Sequence, residues 1–102
     1  MLIQVHFDGI NKSDTLDQYT HEQVQQHLTH MADRITRVEV YLKDENGSEK
    51  HAADDKSCTM EARPAGRQPL AVDHKGDNLK QVISETAGKL ERALKRAFER
   101  AN

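Results

Sequence analysis

The apolar residues of segment 78–101 recur every three or four positions, which is the period of one face of an α-helix. These apolar residues are Leu79, Val82, Ile83, Ala87, Leu90, Ala93, Leu94, Ala97 and Phe98. The other side of the same helix carries basic residues roughly a turn apart, namely Lys89, Arg92, Lys95, Arg96 and Arg100. Asp77 or Asn78 is placed to cap the first turn. The pattern predicts a helix with one buried face and one basic face.

Four shorter segments alternate between apolar and polar residues, as half-buried β-strands do. They cover residues 2–7, 37–43, 58–63 and 70–74. A second helix is predicted over residues 14–31, because Ser13 can cap it and apolar residues from Leu16 to Met31 follow a helical spacing. A turn at residues 44–47 and a polar loop to about Lys56 are expected to separate the second strand from the third.

The predicted order of elements is β-α-β-β-β-α, and the short connections favour an antiparallel meander from the second strand to the fourth. A single sheet needs one face covered, and two amphipathic helices lying side by side can cover it. The sequence therefore predicts an α+β two-layer sandwich, with a four-stranded sheet and two helices on one face, as one domain over residues 1–102. The opposite sheet face is expected to lie in water and carries Arg37, Glu39, Tyr41, Lys43, Thr59, Glu61 and Arg63.

The charge distribution says more than the formal net charge of −2, which is not that of a generic nucleic-acid binder. The net charge is −4 over residues 1–33, −1 over residues 34–74 and +3 over residues 75–102. Such an asymmetry favours docking of the carboxyl-terminal third on a polyanion. The sequence has no apolar run of about 18 residues and no signal-peptide pattern, so we expect a cytoplasmic protein that does not bind membranes.

Motifs of catalysis are absent from the sequence. It has no glycine-rich phosphate loop, no Gly-x-Ser-x-Gly elbow and no His-Glu-x-x-His helix. We therefore expect no enzyme, no catalytic residues, no cofactor and no small-molecule substrate. Cys58 is the one cysteine, and its alternation with Met60 and Ala62 predicts a buried structural thiol rather than a nucleophile.

The acidic and histidine residues do not match a defined metal site. The nearest set is His51, Asp54, Asp55 and His74, whose spacing fits no known ligand pattern, and His27 with His30 makes only a pair. We interpret them as a solvated loop and an ordinary helix surface, and we expect no bound metal.

Nucleic-acid binding has better support. Lys89, Arg92, Arg96 and Arg100 are spaced by 3, 4 and 4 residues, which sets a row of cations about 5–6 Å apart along a helix. Such a row contacts phosphates and reads shape rather than base identity. Tyr41 is the one aromatic residue on the predicted open sheet face, so a stacking platform for single-stranded RNA is not expected there.

The element order and several short motifs resemble the ribosome hibernation-promoting factors, also called ribosome-associated inhibitors. The motifs are the capped entry at Ser13, Asp33-Arg34-Ile35 before the second strand, and Lys89-Leu90-Glu91-Arg92 in the last helix. The resemblance covers nearly the whole chain and follows the short form of the family. It implies a fold similar to double-stranded RNA-binding domains, and docking on small-subunit rRNA in the channel for messenger and transfer RNA, which inhibits translation on idle ribosomes under stress.

The resemblance implies RNA binding for residues that match basic family positions, namely Arg34, Lys89, Arg92, Lys95 and Arg96, and periodicity adds Arg100. The chain also departs from the family. Gln23 and Gln26 stand where lysines are common, an extra residue lies near His27, the loop at 45–56 is longer than usual and the segment Pro64–Pro69 is not typical. Fewer cations predict weaker, less salt-dependent binding by a divergent member.

Two other functions remain open. The fold could serve as a protein-interaction module that has lost the RNA site and uses the sheet face around Arg37, Tyr41, Glu61 and Arg63. A metal or redox sensor at His51, Asp54, Asp55 and Cys58 is a third hypothesis. A positive strip across both helices would favour RNA, whereas a strip confined to the last helix and flanked by acids would favour the interaction module. The oligomeric state does not follow from the sequence.

Overall fold

The computed structural model describes residues 1–44 and 55–100, which form a four-stranded sheet with two helices packed on one face. The strands are β1 (Leu2–Asp8), β2 (Ile35–Asp44), β3 (Lys56–Pro64) and β4 (Leu70–Gly76). The helices are α1 (Asp14–Leu28) and α2 (Leu79–Glu99), and a 3₁₀ segment, Thr29–Arg34, joins α1 to β2. The predicted α+β class and the order β-α-β-β-β-α are confirmed. The turn predicted after Asp44 lies outside the described residues.

The strands follow one another across the sheet in the order β1-β2-β3-β4. β1 pairs with β2 in parallel, whereas β2, β3 and β4 form the predicted antiparallel meander. Parallel neighbours need a long crossover connection, and α1 with the 3₁₀ segment supplies it. The register aligns Val5, Val40, Met60 and Val72 across all four strands. One apolar row therefore runs the full width of the sheet under the helices.

The core lies between this row and the apolar stripes of the helices. Its fully buried members on the sheet are Val38, Val40, Leu42, Cys58, Met60 and Ala62. The helices contribute Val24, Leu28, Val82, Ile83, Ala87, Leu90 and Leu94. Burying each Leu, Ile or Val side chain contributes about 1.5–3 kcal/mol, so this set supplies most of the stabilisation of the fold.

Both helices begin at the capping residues expected from the sequence. The Oγ of Ser13 accepts a hydrogen bond from the backbone N–H of Leu16 at 3.2 Å. The Oδ1 of Asn78 accepts one from the N–H of Gln81 at 3.0 Å, so Asn78 rather than Asp77 caps α2. These bonds satisfy donors that a helix leaves free in its first turn.

The predicted extent of the first helix was wrong at its carboxyl end. α1 ends at Leu28, and residues 29–34 follow as the 3₁₀ segment rather than as α-helix to Met31. Met31 has a non-helical backbone, with φ −133° and ψ 15°, and its side chain is 4% exposed. The tighter segment keeps Met31 in the core while the chain turns toward β2.

The outer sheet face, which we define as the side of the sheet away from the helices, is not fully solvated. Glu39 was expected in water, but it is only 6% exposed. Nε2 of His6 forms a hydrogen bond with Oε1 of the Glu39 carboxylate at 2.6 Å. Arg37 forms an ion pair with the second oxygen of the same carboxylate, Oε2. The His6 hydrogen bond, helped by the charge of Arg37, lowers the pKa of Glu39. Long neighbouring side chains therefore cover a carboxylate that strand alternation places outward.

Candidate nucleic-acid interface

The basic side of α2 points away from the sheet, as predicted. Arg92, Lys95, Arg96 and Arg100 are exposed, whereas Leu90 and Leu94 of the same helix are fully buried. The helical period separates the two groups, because residues three and four apart share a side of the helix. We call the outer side of α1, the 3₁₀ segment and α2 the helical face.

Lys89 is placed differently from the other predicted cations. It is half-buried, and its Nζ donates a hydrogen bond to the backbone carbonyl of Asp73 on β4 at 3.0 Å. A carbonyl neutralises no charge, so the ammonium keeps its full positive charge beside the helix. Lys89 therefore contributes to the helical face from a fixed position at the edge of the sheet.

Arg34 ends the 3₁₀ segment and reaches the carboxyl-terminal end of α2. Its guanidinium carbon lies 3.7 Å from the centre of the Phe98 ring. This cation–π contact holds the side chain in place and leaves its charge unneutralised. The structure thus brings Arg34 next to Lys95, since both line one cavity with Phe98.

Arg67 joins the same end of the molecule and was not predicted as a site residue. It lies in the turn between β3 and β4, with its guanidinium carbon 5.2 Å from the Phe98 ring centre and its Nη1 donating to the carbonyl of Ala97 at 3.4 Å. The N–H of Ala65 donates to the carbonyl of Arg34 at 2.9 Å and fixes this turn against the 3₁₀ segment. Only the strand register reveals this neighbourhood, because no local motif marks Arg67.

The two helices run in the same direction, which concentrates charge at one end. The hydroxyl of Tyr19 donates to the carbonyl of Lys80 at 3.1 Å, and further along His27 bonds Glu91 at 2.7 Å. Both carboxyl-terminal ends therefore lie on the same side, where helix dipoles favour cations. We call the cluster at this side the basic end, and it comprises Arg34, Arg67, Lys95, Arg96 and Arg100.

Histidines pair with three carboxylates of the two helices. Glu91 of α2 accepts from Nδ1 of His27 at 2.7 Å and lies 3.8 Å from Nε2 of His30. Glu85 of α2 pairs in the same way with His74 of β4 at 2.6 Å. On α1, Asp17 pairs with His21 at 3.0 Å. Within residues 1–44 and 55–100, no lysine or arginine of the basic end forms an ion pair with a carboxylate.

The first helix adds no permanent cation to the helical face. Residues 14–28 contain neither lysine nor arginine, and Gln25 and Gln26 are exposed on its outer side. The positive surface therefore does not extend along α1. It follows α2 and widens at the basic end across the 3₁₀ segment and the β3–β4 turn. This layout is intermediate between a positive strip across both helices and a strip confined to the last helix.

The arginines of the outer sheet face are neutralised by neighbouring carboxylates. Arg37 pairs with Glu39 and also donates to Oε1 of Gln4 at 2.8 Å. Arg63 lies 3.4 Å from Glu61. Tyr41 is 45% exposed and stacks on the His6 ring, with ring centres 4.8 Å apart. In the described part of the chain, the arginines of this face therefore already have carboxylate partners, unlike the cations of the basic end.

The thiol of Cys58 is placed as a structural core group, as predicted. It is fully buried, and burial raises its pKa to about 12. A thiol with so high a pKa forms almost no thiolate at neutral pH, so it is a poor nucleophile. Asp55 is also buried, and Lys56 lies 3.1 Å from its carboxylate. His51 and Asp54 of the metal hypothesis lie outside the described residues.

A search of the described residues for groups of three or more metal-ligating side chains finds none. In the same parts of the chain, neither helix has the length and apolar character that crossing a bilayer requires. These two findings concern only residues 1–44 and 55–100.

Two solved structures share this fold at low sequence identity. A ribosomal subunit interface protein from Coxiella burnetii superposes with a TM-score of 0.80 and 16% identity, covering 98% of this chain and 100% of that one. The amino-terminal domain of Protein Y from Thermus thermophilus gives 0.75 and 15%, covering 95% and 99%. A comparison with curated protein sequences finds no match.

Sequence similarity identifies the family directly. Residues 3–102 match the sequence profile of the family described as sigma 54 modulation protein / S30EA ribosomal protein. This match and the shared fold confirm the resemblance to ribosome hibernation factors, a family that is not enzymatic. The chain therefore belongs to the sigma 54 modulation protein / S30EA ribosomal protein family.

Proposed function

We propose that this protein binds rRNA of the small ribosomal subunit through its helical face and inhibits translation on idle ribosomes. Family membership supports association with a ribosomal subunit, and one relative of the same fold is itself described as a ribosomal subunit interface protein. The protein acts in the cytoplasm, where ribosomes are. The four strands and two helices share one core, which supports treating residues 1–102 as a single binding domain.

The pairing of charges on the helical face carries this proposal. Histidines partner three of its carboxylates, Asp17, Glu85 and Glu91. By contrast, Arg34 lies against an aromatic ring and Lys89 bonds a backbone carbonyl. Cations without a carboxylate partner can bind a phosphate at low free-energy cost, because no existing ion pair has to be broken. The helical face is therefore ready to bind a polyanion despite the acidic total charge.

Its cations also have the spacing that RNA backbones require. Arg92 and Arg96 are four residues apart on one side of α2, so their side chains leave the helix about 5–6 Å apart. Such contacts read the phosphate backbone and the shape of the RNA rather than its sequence. Binding is accordingly electrostatic and salt-dependent. It is weaker than binding through two basic helices would be, because the outer side of α1 carries no lysine or arginine.

Co-sedimentation with purified ribosomal subunits tests the proposal. The wild-type chain should travel with small subunits on a sucrose gradient at about 50 mM salt and largely dissociate at about 200 mM salt. Large subunits at the same concentration provide the control, and they should retain much less protein. An in vitro translation assay should show inhibition at the protein concentrations that saturate small subunits. No association with small subunits even at the lower salt would refute the proposal.

One observation favours a second candidate function, a protein-interaction module. Leu2 is 53% exposed and Tyr41 is 45% exposed, and both side chains extend toward the outer sheet face. Exposed apolar groups beside paired charges are common in protein interfaces. On this hypothesis a partner would protect the outer sheet face, and changes to the basic end would leave binding unaltered.

A further inference from the structure

A cavity of about 250 Å³ opens at the basic end, between α2 and the 3₁₀ segment. Its lining residues are His30, Met31, Arg34, Lys95, Phe98 and Glu99. Pockets that hold drug-sized ligands have volumes of about 300–1,000 Å³, so this one suits a single planar ring system. It adjoins the cations that are proposed to contact RNA.

The cavity has an apolar floor and one planar cation in its wall. Met31 is almost fully buried and Phe98 is half-buried, and both pack against the core. The guanidinium of Arg34 is held 3.7 Å from the Phe98 ring centre and also lines the cavity. An arginine fixed against an aromatic ring offers a flat, preordered surface, and RNA bases stack on aromatic and guanidinium planes of this kind.

The rim supplies partners for the polar parts of a nucleotide. Lys95 can reach a phosphate beside the cavity, and Arg67 and Arg100 lie at the same end. Among the residues that the structure describes, Glu99 is the one carboxylate that lines the cavity. A carboxylate repels phosphate, but it accepts hydrogen bonds from a base that carries N–H groups on its Watson–Crick edge, as guanine does.

We propose that this cavity binds one unstacked nucleobase with N–H donors on its exposed edge, while the cations around it bind the neighbouring phosphates. The inference rests on the proposed function, since it places the base in the RNA that follows the helical face. It adds base recognition to an interface whose other contacts read only backbone and shape.

Two variants test the cavity through the dissociation constant for purified small subunits. Phe98→Leu keeps an apolar side chain but removes the aromatic support of Arg34. Stacking on such a platform contributes about 1–3 kcal/mol per base, so binding should weaken about 5- to 150-fold. The slope of log affinity against log salt should stay unchanged, because no cation is lost. Thermal unfolding checks that this half-buried position still folds.

Glu99→Gln separates base recognition from simple electrostatics. Removing a negative charge from a surface that binds phosphate should tighten binding. Replacing one of the two acceptor oxygens by an NH₂ donor should weaken binding of a base that donates to both. We expect binding about 2- to 10-fold weaker than in the wild type, because the loss of one hydrogen bond to a charged group outweighs the weaker repulsion of phosphate. Glu22→Gln is the matched control, because Glu22 is an exposed carboxylate on α1 away from the cavity. It should bind slightly more tightly.

Each binding result either supports or contradicts the base site. If the wild type binds small subunits but Glu99→Gln binds equally or more tightly, the cavity holds a phosphate or nothing, and the base assignment is wrong. The base assignment is also wrong if the folded Phe98→Leu variant binds small subunits as tightly as the wild type. If the wild type itself does not bind small subunits at low salt, the proposed function fails and the base site fails with it. Because the Glu99 side chain is exposed, its variant keeps the test valid even where Phe98→Leu loses stability.

Discussion

The helical face and the outer sheet face carry the same kinds of charged residues but pair them differently. On the outer sheet face, Arg37 pairs with Glu39 and Arg63 pairs with Glu61. On the helical face, Glu91 pairs with two histidines, while Arg34 rests on a phenyl ring. Pairing, rather than composition, therefore decides whether a cation is available to a polyanion.

Reversing charge on the helical face should have the largest effect. The variant combines Lys89→Glu, Arg92→Glu and Arg96→Glu. It replaces three attractions for phosphate with three repulsions, so affinity for small subunits should fall by at least about 100-fold. Quantitative co-sedimentation at low salt measures the loss, and the fold should survive because these side chains lie outside the core.

A matched triple variant makes the comparison between the two faces strict. Lys12→Glu, Lys43→Glu and Arg63→Glu change the net charge by the same amount at exposed positions off the helical face. This control should bind within a few-fold of the wild type, the remainder reflecting net charge alone. Equal losses in the two triple variants would mean that total charge, and not the helical face, governs binding.

Removing the buried carboxylate of the outer sheet face should cost stability rather than binding. Glu39→Gln loses charge-assisted hydrogen bonds with His6 and Arg37, so the free energy of unfolding should fall by about 1–3 kcal/mol. For a chain of this size each kcal/mol lowers Tm by about 4–8 °C. Glu61→Gln, at a more exposed pair, should change stability by less than about 1 kcal/mol.

The lowered pKa of Glu39 also predicts a pH dependence. A carboxyl group with a folded-state pKa below its ordinary 4.5 contributes its full stability above that pH. The contribution is lost as pH falls from 4.5 through the lowered folded pKa. Urea unfolding should therefore show a steeper loss of stability below pH 4.5 in the wild type than in Glu39→Gln. Parallel pH profiles for the two proteins would contradict the assigned network.

Arg67 offers a finer test of the basic end. Arg67→Ala removes one expected phosphate contact, so the slope of log affinity against log salt should decrease by about 0.7–0.9. Affinity should fall a few-fold at moderate salt, measured by co-sedimentation over a salt series. Arg63→Ala is the control, because Arg63 belongs to the neighbouring strand but points to the outer sheet face. If the slope changed in Arg63→Ala but not in Arg67→Ala, the outer sheet face rather than the basic end would be the phosphate-binding surface.

The smallest effect is expected at Glu91, the carboxylate in the middle of the helical face. Glu91→Gln removes a negative charge near Arg92 and Lys95, so binding to small subunits should tighten about 2- to 5-fold. The variant also weakens the bond from His27, so stability should fall by about 0.5–1.5 kcal/mol. Weaker rather than tighter binding by the folded variant would show that Glu91 positions its histidines for RNA.

Local patterns were sufficient to predict the fold. The apolar period of α2, the alternation of four strands and the caps at Ser13 and Asn78 predicted the class and the order of elements. The end of α1 was missed because a 3₁₀ segment keeps Met31 buried without continuing the helix. Periodicity alone does not distinguish these two conformations.

The candidate site was predictable only where it is continuous in sequence. The cations of α2 follow from helical spacing, whereas Arg67 reaches them through strand register across the sheet. The burial of Glu39 was likewise hidden, because it depends on side chains from a neighbouring strand. Contacts between distant parts of the chain, and not the local pattern, decide which charges are paired.

Directed hydroxyl-radical probing tests the central claim most directly. An iron chelate can be attached to Gln26→Cys on the helical face or to Ala71→Cys on the outer sheet face, both exposed and uncharged positions. The buried Cys58, with its raised pKa, should resist labelling in the folded protein. We expect strong cleavage of small-subunit rRNA from the probe on the helical face and little from the other. Strong cleavage only from the outer sheet face would contradict the assignment of the helical face as the RNA interface.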